Sequence, residues 1–194
     1  MTTVHLARHG ESDWNAANRF QGHSDRPLTE LGRRQAEALA DELAATATLT
    51  AVYSSPLRRA LDTAALVGAR LGLTPIPVEG LREVDVGAWA GLSRTEVERQ
   101  FPDGFRRWLE GGDGWEGGET YAEMSARVLG TLLALAAAHD AEEVLVVSHG
   151  GPIRAIQAAA AGMDVHAYRR LQRVEPNARL SRVAVENGRI SRLD

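Results

Sequence analysis

The first notable stretch of the chain reads LARHGESDWN and spans residues 6 to 15. The residues Val4 to Ala7 predict a short buried strand, which Gly10 ends. Arg8 and His9 then lie at the carboxyl end of that strand, the edge where ligands bind in open α/β sheets. Arg8 is a permanently charged, forked donor suited to phosphate, and a neutral His9 can attack phosphorus if its other ring nitrogen donates to a carbonyl. The stretch predicts an anion site, although one Arg-His pair alone is more typical of a surface turn.

A second strand end carries a group of the same kind. Residues 51 to 54 predict a short strand, after which we expect Ser55 to cap a helix that has Pro56 at its first position. Arg58 then lies in the first turn, off the apolar stripe of that helix, and can point at the site. The neighbouring Arg59 is expected to be a solvated surface arginine.

The third strand end lies near residue 148. Val144 to Val147 form a continuous apolar run, typical of a central parallel strand, and His149 and Gly150 follow it. Pro152 then opens another helix, which is apolar nearly all round and is expected to be buried, and Arg154 in it is expected to tie the scaffold together. Because the carboxyl ends of parallel strands meet at one edge of a sheet, we expect the three strand ends to form one site.

These motifs resemble those of the histidine phosphatase superfamily, in its phosphoglycerate-mutase-like branch and of the phosphatase type. The resemblance rests on four segments that follow one another along most of the chain, which read RHGESDWN, SSPLRRALDTA, LREVDVGAWAGL and SHGGPIRA. It implies phosphoryl transfer through a phosphohistidine on His9. It also implies that the loop containing Gln21 and Gly22 borders the pocket.

The segment LREVDVGAWAGL, residues 81 to 92, supplies the acid that arginine and histidine cannot. The leaving oxygen of a phosphate ester needs a proton as its bond breaks, and the water that attacks a phosphohistidine must lose one. One carboxyl group can serve both steps. From the residues alone, Glu83 and Asp85 are both candidates, and the resemblance assigns the role to Glu83.

The composition limits the class of protein. A chain of 194 residues, 44% hydrophobic, fits one globular domain with a full core. The absence of cysteine excludes disulfides and thiolate metal sites, and neither a signal peptide nor a membrane-length apolar run is evident, so we expect a cytoplasmic protein with no membrane partner. All 22 basic residues are arginine, yet the net charge is −4, which argues against a nucleic-acid partner.

Aromatic residues concentrate after residue 88, as Trp89, Phe101, Phe105, Trp108 and Trp115. They predict a small helical cap, an insertion at about residues 88–119 within a single domain of residues 1–194. The aromatics are expected either to touch the substrate beyond its phosphate or only to anchor two short helices.

The predicted fold is of the α/β class, a three-layer α/β/α sandwich. Its central sheet is expected to be mostly parallel, with an antiparallel edge strand and the small helical cap insertion. The antiparallel edge is indicated by the turn sequence Asn187-Gly188, which is typical of a two-residue hairpin.

We expect a phosphomonoesterase that hydrolyses a small phosphorylated metabolite, with no metal and no cofactor. The expected catalytic residues are His9, Glu83, Arg8, Arg58 and His149, and His149 is most useful when protonated. The expected substrate-binding residues are Asn15, Gln21, Gly22 and Gly150.

Two alternatives remain. A cofactor-dependent phosphoglycerate mutase would use the same residues but keep its phosphohistidine dry, and the short interval between Glu83 and His149 favours a phosphatase. A phospho-ligand-binding pseudoenzyme would lack His9 or Glu83, and both are present. A metallohydrolase motif such as H-E-x-x-H is absent from the sequence. A homodimer is compatible with the sequence.

Overall fold

The protein is built on one mixed sheet, seen in a computed structural model that describes residues 1–193. Among these residues there are six strands in the order β3-β2-β4-β1-β5-β6. The strands are β1 (Thr2–Arg8), β2 (Leu49–Ser54), β3 (Ile76–Pro77), β4 (Glu143–Ser148), β5 (Leu180–Glu186) and β6 (Arg189–Arg192). The pairs β1–β4, β4–β2 and β2–β3 are parallel, whereas β5 runs antiparallel to both β1 and β6. The mostly parallel sheet with an antiparallel edge is therefore confirmed.

Eight helices accompany the sheet within the same described range. They are α1 (Asp13–Ala16), α2 (Glu30–Thr46), α3 (Arg58–Leu71), α4 (Arg94–Gln100), α5 (Pro102–Leu109), α6 (Tyr121–Ala137), α7 (Gly150–Ala160) and α8 (Val165–Leu171). Helices α2 and α3 cover one face of the sheet, and α6 and α7 cover the other. The three-layer α/β/α arrangement is confirmed.

Strand β4 shows why the sheet has a core on each face. Val144 and Val146 pack with Leu6 in the cluster beside α6 and α7, whereas Leu145 and Val147 pack in the cluster beside α2 and α3. These four β4 residues are fully buried, because successive side chains of a strand point to opposite faces and both faces are covered. The expected central strand is confirmed.

Helix α3 begins later than the sequence predicts. Ser55 continues the strand by donating its N–H to Val147 O, and Leu57 is the residue that precedes the first helical turn. The first turn is capped from another segment, because Asp25 Oδ1 accepts the Arg58 N–H at 2.6 Å. The prediction of Ser55 as the cap and Pro56 as the first helical residue is wrong, and Arg59 lies on the buried face of the helix.

The aromatic side chains around α4 and α5 pack into the main hydrophobic core. Trp89 is fully buried in the cluster that contains Leu6 and Val146, and it contacts Phe20, Phe105 and other rings edge-on or tilted. The bounds of the cap, at about residues 88–119, stay a prediction.

The hairpin at Asn187-Gly188 forms as expected, with both residues at positive φ. Within residues 1–193, no helix combines the length and the apolar character needed to cross a bilayer.

Candidate active site

The carboxyl ends of β1, β2 and β4 meet at one edge of the sheet and open into a cavity of about 910 Å³. Its wall combines cations, one acid and several aromatic rings. The residues expected at the site that line it are Arg8, His9, Gln21, Gly22, Glu83 and Gly150. Within residues 1–193, no group of three or more His, Asp or Glu side chains is placed to hold a metal ion. Arginines supply the permanent positive charge of the wall.

His9 is held as a neutral imidazole whose Nε2 carries no proton. Its Nδ1 lies 2.7 Å from Gly10 O, a carbonyl that can only accept, so Nδ1 carries the proton. Its Nε2 accepts from Arg59 Nε at 3.3 Å, as an unprotonated ring nitrogen must. Burial, and then the charges of Arg59 and Arg8, hold the pKa of His9 well below its usual value. The predicted nucleophile geometry, one nitrogen on a carbonyl and the other free to attack, is therefore present.

The backbone around His9 is fixed from several directions. His9 O accepts from Asn177 Nδ2 at 2.9 Å, and Gly10 N–H donates to Thr63 Oγ1 at 3.0 Å. A Cβ on Gly10 would overlap with Gly32 O, so only glycine lets α2 approach the strand end this closely. These contacts hold the imidazole in one orientation toward the cavity.

Arg8 reaches the cavity beside His9. Its Nη1 donates to Glu175 O at 2.6 Å, and its buried Nε has no hydrogen-bond partner within residues 1–193. Burial lowers the pKa of Arg8, and the nearby Glu83 carboxylate opposes that shift. An anion in the cavity would satisfy this unpaired donor.

A second arginine in the cavity wall is Arg59, and the structure does not bring Arg58, the predicted arginine, to that wall. The Arg58 side chain is 56% exposed and pairs with Asp62 at 3.4 Å, one helical turn further along. Arg59 is buried, and its guanidinium donates to Ser24 O at 2.7 Å and to Gly22 O at 2.9 Å as well as to His9. Burial lowers the pKa of Arg59 to about 10, against the raising effect of nearby carboxylates.

His149 is buried against His9, with the ring centroids 5.1 Å apart and the rings edge-on. Ser55 Oγ accepts the N–H of Leu57 and lies 2.7 Å from His149 Nε2, so we assign the hydroxyl proton to that nitrogen and the ring proton to Nδ1. Nδ1 is buried and without a partner in the described chain. Burial, and then Arg59, hold the pKa of His149 well below its usual value. The ring is therefore neutral in the empty site, contrary to the expectation of a protonated His149.

Glu83 occupies the wall next to the start of α7. Its Oε1 accepts from Val84 N at 2.9 Å and from Gly151 N at 3.1 Å, so backbone amides orient the carboxylate. Asp85, the alternative acid, is not part of the cavity wall. Its Oδ1 accepts from Gly87 N at 3.0 Å and fixes the turn that follows. The geometry favours Glu83 over Asp85.

The four expected substrate-binding residues divide into two groups. Gln21, Gly22 and Gly150 lie in the cavity wall. Asn15 does not, because its side chain closes the cap of α1, where Oδ1 accepts from Ser12 N at 3.1 Å. The structure therefore does not bring Asn15 to the cavity.

The sequence model of the histidine phosphatase superfamily (branch 1) matches residues 4–193. The chain belongs to this superfamily. It is 38% identical over 170 residues to phosphoserine phosphatase 1 of Hydrogenobacter thermophilus, an alignment that covers 87% of this chain and 80% of the relative. It is 38% identical over 177 residues to the metal-independent phosphoserine phosphatase of Arabidopsis thaliana, covering 86% of this chain and 74% of the relative.

A solved structure of mycobacterial glucosyl-3-phosphoglycerate phosphatase in complex with VO3 superposes with a TM-score of 0.88 at 31% identity. The superposition covers 97% of this chain and 95% of that one. The histidine phosphatase fold thus extends over nearly the whole chain. The recognition made from the four sequence motifs is confirmed.

In this histidine phosphatase, most residues of the cavity wall were not predicted from the sequence, and three arginines among them matter for the argument below. They are Arg59, Arg154 and Arg169. A signal for Arg59 existed, because Thr63 and Val67 follow it at helical spacing on the buried face of α3. Arg154 was expected only to tie the scaffold together, and nothing in the sequence around Arg169 distinguishes it from other arginines of α8.

Proposed function

We propose that this histidine phosphatase is a phosphomonoesterase that hydrolyses small phosphorylated metabolites through a phosphohistidine on His9. The observation that carries the proposal is the His9 geometry. Its Nδ1 is bound to Gly10 O, while Nε2 presents a lone pair in a cavity walled by arginines and Glu83. A nitrogen nucleophile, cationic donors and a carboxyl group are the groups that phosphoryl transfer without a metal requires.

In the first step, His9 Nε2 attacks phosphorus and the ester oxygen leaves. The N–H that Arg59 gives to His9 in the empty site becomes available to a phosphate oxygen, and Arg8 Nε offers another. Glu83 protonates the leaving oxygen, so that an alcohol rather than an alkoxide departs. Arg8 and Arg59 stabilise the negative charge on the transferred phosphoryl group throughout this step.

In the second step, water attacks the phosphohistidine. The Glu83 carboxylate, left unprotonated by the first step, takes the proton of that water. His9 Nε2 leaves phosphorus with its lone pair restored, and inorganic phosphate is released. His149 is not one of the residues that line the cavity, but it packs against His9, and we assign its unpaired Nδ1–H as a neutral donor to an oxygen of the bound phosphate. The negative charge of that phosphate favours protonation of the same ring.

The names of the relatives support hydrolysis of small metabolites. Phosphoserine and glucosyl-3-phosphoglycerate are both small phosphomonoesters, and one relative is named metal-independent. The presence of both His9 and Glu83 in one cavity argues against a pseudoenzyme that only binds phosphorylated ligands. The cytoplasmic location and the homodimer stay predictions.

The proposal is tested by trapping the intermediate. Wild-type protein mixed with 32P-labelled phosphomonoester and quenched in alkali, where phosphohistidine survives, should carry label on His9. A His9→Ala variant should carry none and should not release phosphate above background. His139→Gln is the matched control, because His139 pairs with Glu142 and Tyr53 outside the cavity. Full turnover by His9→Ala would reject the proposal.

The mutase alternative is tested with the same protein. Incubation with 3-phosphoglycerate and catalytic 2,3-bisphosphoglycerate should release inorganic phosphate from either compound faster than it forms 2-phosphoglycerate. Isomer formation well ahead of phosphate release would assign the protein to the mutases. The expected preference for water follows from the rim of the cavity, where Leu171 and Val174 are exposed and do not seal it.

A further inference from the structure

The cavity carries more positive charge than one phosphate group needs. Beyond Arg8 and Arg59, further arginines line its wall, and Glu83 is the one carboxylate among the lining residues. These additional arginines are Arg19, Arg94, Arg154, Arg169, Arg170 and Arg173. The wall therefore favours a ligand with more negative charge than a single phosphoryl group.

Most of these additional arginines are accounted for without a ligand. Arg19 pairs with Glu96 at 2.9 Å, and Arg94 lies over the Trp108 ring at 5.2 Å. Arg170 and Arg173 are at the surface, where water compensates their charge. Arg154 and Arg169 remain, and both are largely removed from solvent.

Arg154 extends from α7 into the wall without any partner. Its guanidinium makes no hydrogen bond or ion pair with residues 1–193, and its Nε is inaccessible to water. Burial lowers the pKa of Arg154, opposed by nearby groups that include Glu83. A partly buried cation without a hydrogen-bonded counter-charge is costly, and an anion bound beside it would offset that cost.

Arg169 is fixed next to the same space. Its guanidinium lies over the Tyr121 ring at 3.6 Å, and Nη1 donates to Gly111 O at 2.8 Å and to Gly112 O at 3.1 Å. Its Nε is buried and without a partner in the described chain. Burial lowers the pKa of Arg169, and the charge of Arg154 lowers it further. The two guanidinium groups therefore repel each other, and an anion bound in the cavity beside them would offset that repulsion.

We infer that Arg154 and Arg169 form a second anion subsite, and that the substrate is a phosphomonoester whose leaving group carries its own acidic group, a carboxylate or a second phosphate. The inference rests on the proposed function and specifies its substrate class. The transferred phosphoryl group is held by Arg8, Arg59 and His9. The acidic group of the leaving alcohol binds to Arg154 and Arg169, whose Nε–H groups have no hydrogen-bond partner within residues 1–193.

The test compares substrates that differ only in the second anion. O-Phosphoserine and O-phosphoethanolamine share the ester and the ammonium group, and only the former has a carboxylate. Propane-1,3-diol bisphosphate and its monophosphate make the corresponding pair for a second phosphate. Wild-type protein should favour the member with the second anion in at least one pair by about tenfold to a hundredfold in kcat/KM, the range expected for hydrogen bonds to charged groups. The pair that shows the preference identifies the anion.

The variants Arg154→Gln and Arg169→Gln should remove that preference. Each should lower kcat/KM for the doubly anionic substrate about tenfold or more, and change it less than about threefold for the substrate with one anion. Arg34→Gln is the matched control, because Arg34 is an exposed arginine on α2. Circular dichroism and the thermal midpoint would show that the variants fold.

Each contrary outcome has a distinct meaning. Equal hydrolysis of both members of each pair by the wild-type protein would overturn the inference without any variant. An equal loss on both members in Arg154→Gln would also overturn it, because Arg154 would then act on the transferred phosphate. If the wild-type protein hydrolysed no phosphomonoester, p-nitrophenyl phosphate included, the proposed function itself would be rejected.

Discussion

Arg59 Nε donates to His9 Nε2 at 3.3 Å, so the Arg59 guanidinium binds the lone pair that must attack phosphorus. Burial, and then the charge of Arg59, hold the pKa of His9 well below its usual value and keep the imidazole neutral. When phosphate enters, its oxygens are stronger acceptors than a neutral ring nitrogen, and the guanidinium can transfer its hydrogen bond to them. One residue thus prepares the nucleophile and then stabilises the group that it attacks.

The contribution of this arginine can be measured against its neighbour. Arg59→Ala should lower kcat/KM for p-nitrophenyl phosphate by a factor of 10² to 10³, about 3 to 4 kcal/mol, as for loss of one donor to a developing anion. Arg58→Ala should change it less than threefold, because the Arg58 side chain is exposed and paired with Asp62. A larger loss in Arg58→Ala than in Arg59→Ala would return the role to Arg58.

The sequence predicted Arg58 in the cavity wall, whereas the structure has Arg59 there, and this difference shows what local patterns cannot predict. The strand ends, the hairpin at Asn187-Gly188 and the position of His9 follow from local patterns, and each was predicted correctly. The start of α3 depends on Asp25, which lies far back along the chain and caps the Arg58 N–H. No local pattern reports that contact, although the helical spacing of Arg59, Thr63 and Val67 does indicate that Arg59 belongs to the buried face of α3.

The positions of Arg154 and Arg169 in the cavity wall depend even more on tertiary structure, so they were harder to predict from the sequence. Arg154 follows Pro152 in a helix that was expected to be buried, and a scaffold role was the natural interpretation. Arg169 belongs to α8 and is brought to the cavity by packing on Tyr121. Glu83, by contrast, could be chosen over Asp85 only with the family resemblance, and the geometry supports that choice.

The buried imidazoles predict how stability depends on pH. The pKa values of His9 and His149 are well below the usual value of 6.5 because both rings are buried beside Arg59. Below about pH 6.5 the unfolded chain binds protons that the folded protein does not, so the free energy of unfolding should fall as the pH falls. Each ring contributes up to about 1.4 kcal/mol per pH unit in this window, and nothing above it.

Urea unfolding at pH 7.5 and pH 5.5, without phosphate, measures this dependence. His9→Asn should show a smaller loss of stability between the two pH values than the wild-type protein, because one of the two rings is gone. Carboxylates titrate alike in both proteins and cancel in the comparison. An unchanged difference would show that His9 binds protons alike in the folded and unfolded states, contrary to a lowered pKa in the folded protein.

The role of Glu83 predicts a dependence on the leaving group. Glu83→Gln should slow the hydrolysis of alkyl phosphates by about 10² to 10⁴, since an alkoxide needs a proton as it departs. Aryl phosphates should be slowed much less in the formation of phosphohistidine, which a pre-steady-state burst of phenol reports. Asp85→Asn is the matched control and should retain activity on both classes. Equal losses on alkyl and aryl esters in the burst phase would place the acid elsewhere.

The first turn of α7 holds the Glu83 carboxyl group in place, because Gly151 N–H donates to Glu83 Oε1. A Cβ on Gly151 would overlap with Glu83 Oε1 and would lie 3.0 Å from Met124 Sδ. Both atoms are at the ends of flexible side chains, so Gly151→Ala should fold but push the carboxyl group out of position. We expect a loss of kcat/KM on alkyl phosphates of about 10² or more, comparable to a displaced catalytic group, and a change in the free energy of unfolding below about 2 kcal/mol.

Gly130→Ala is the control for this substitution, because a Cβ there meets no atom within 4 Å. Gly130 lies inside α6, where alanine is favoured over glycine by about 1 kcal/mol, so the control should be stabilised and should keep full activity. Measuring both variants by urea unfolding and by kcat/KM separates an effect on the acid from an effect on the helix. Full activity of Gly151→Ala on alkyl phosphates would mean that the reaction tolerates a displaced Glu83 carboxylate, and the assignment of Glu83 as the proton donor would then be wrong.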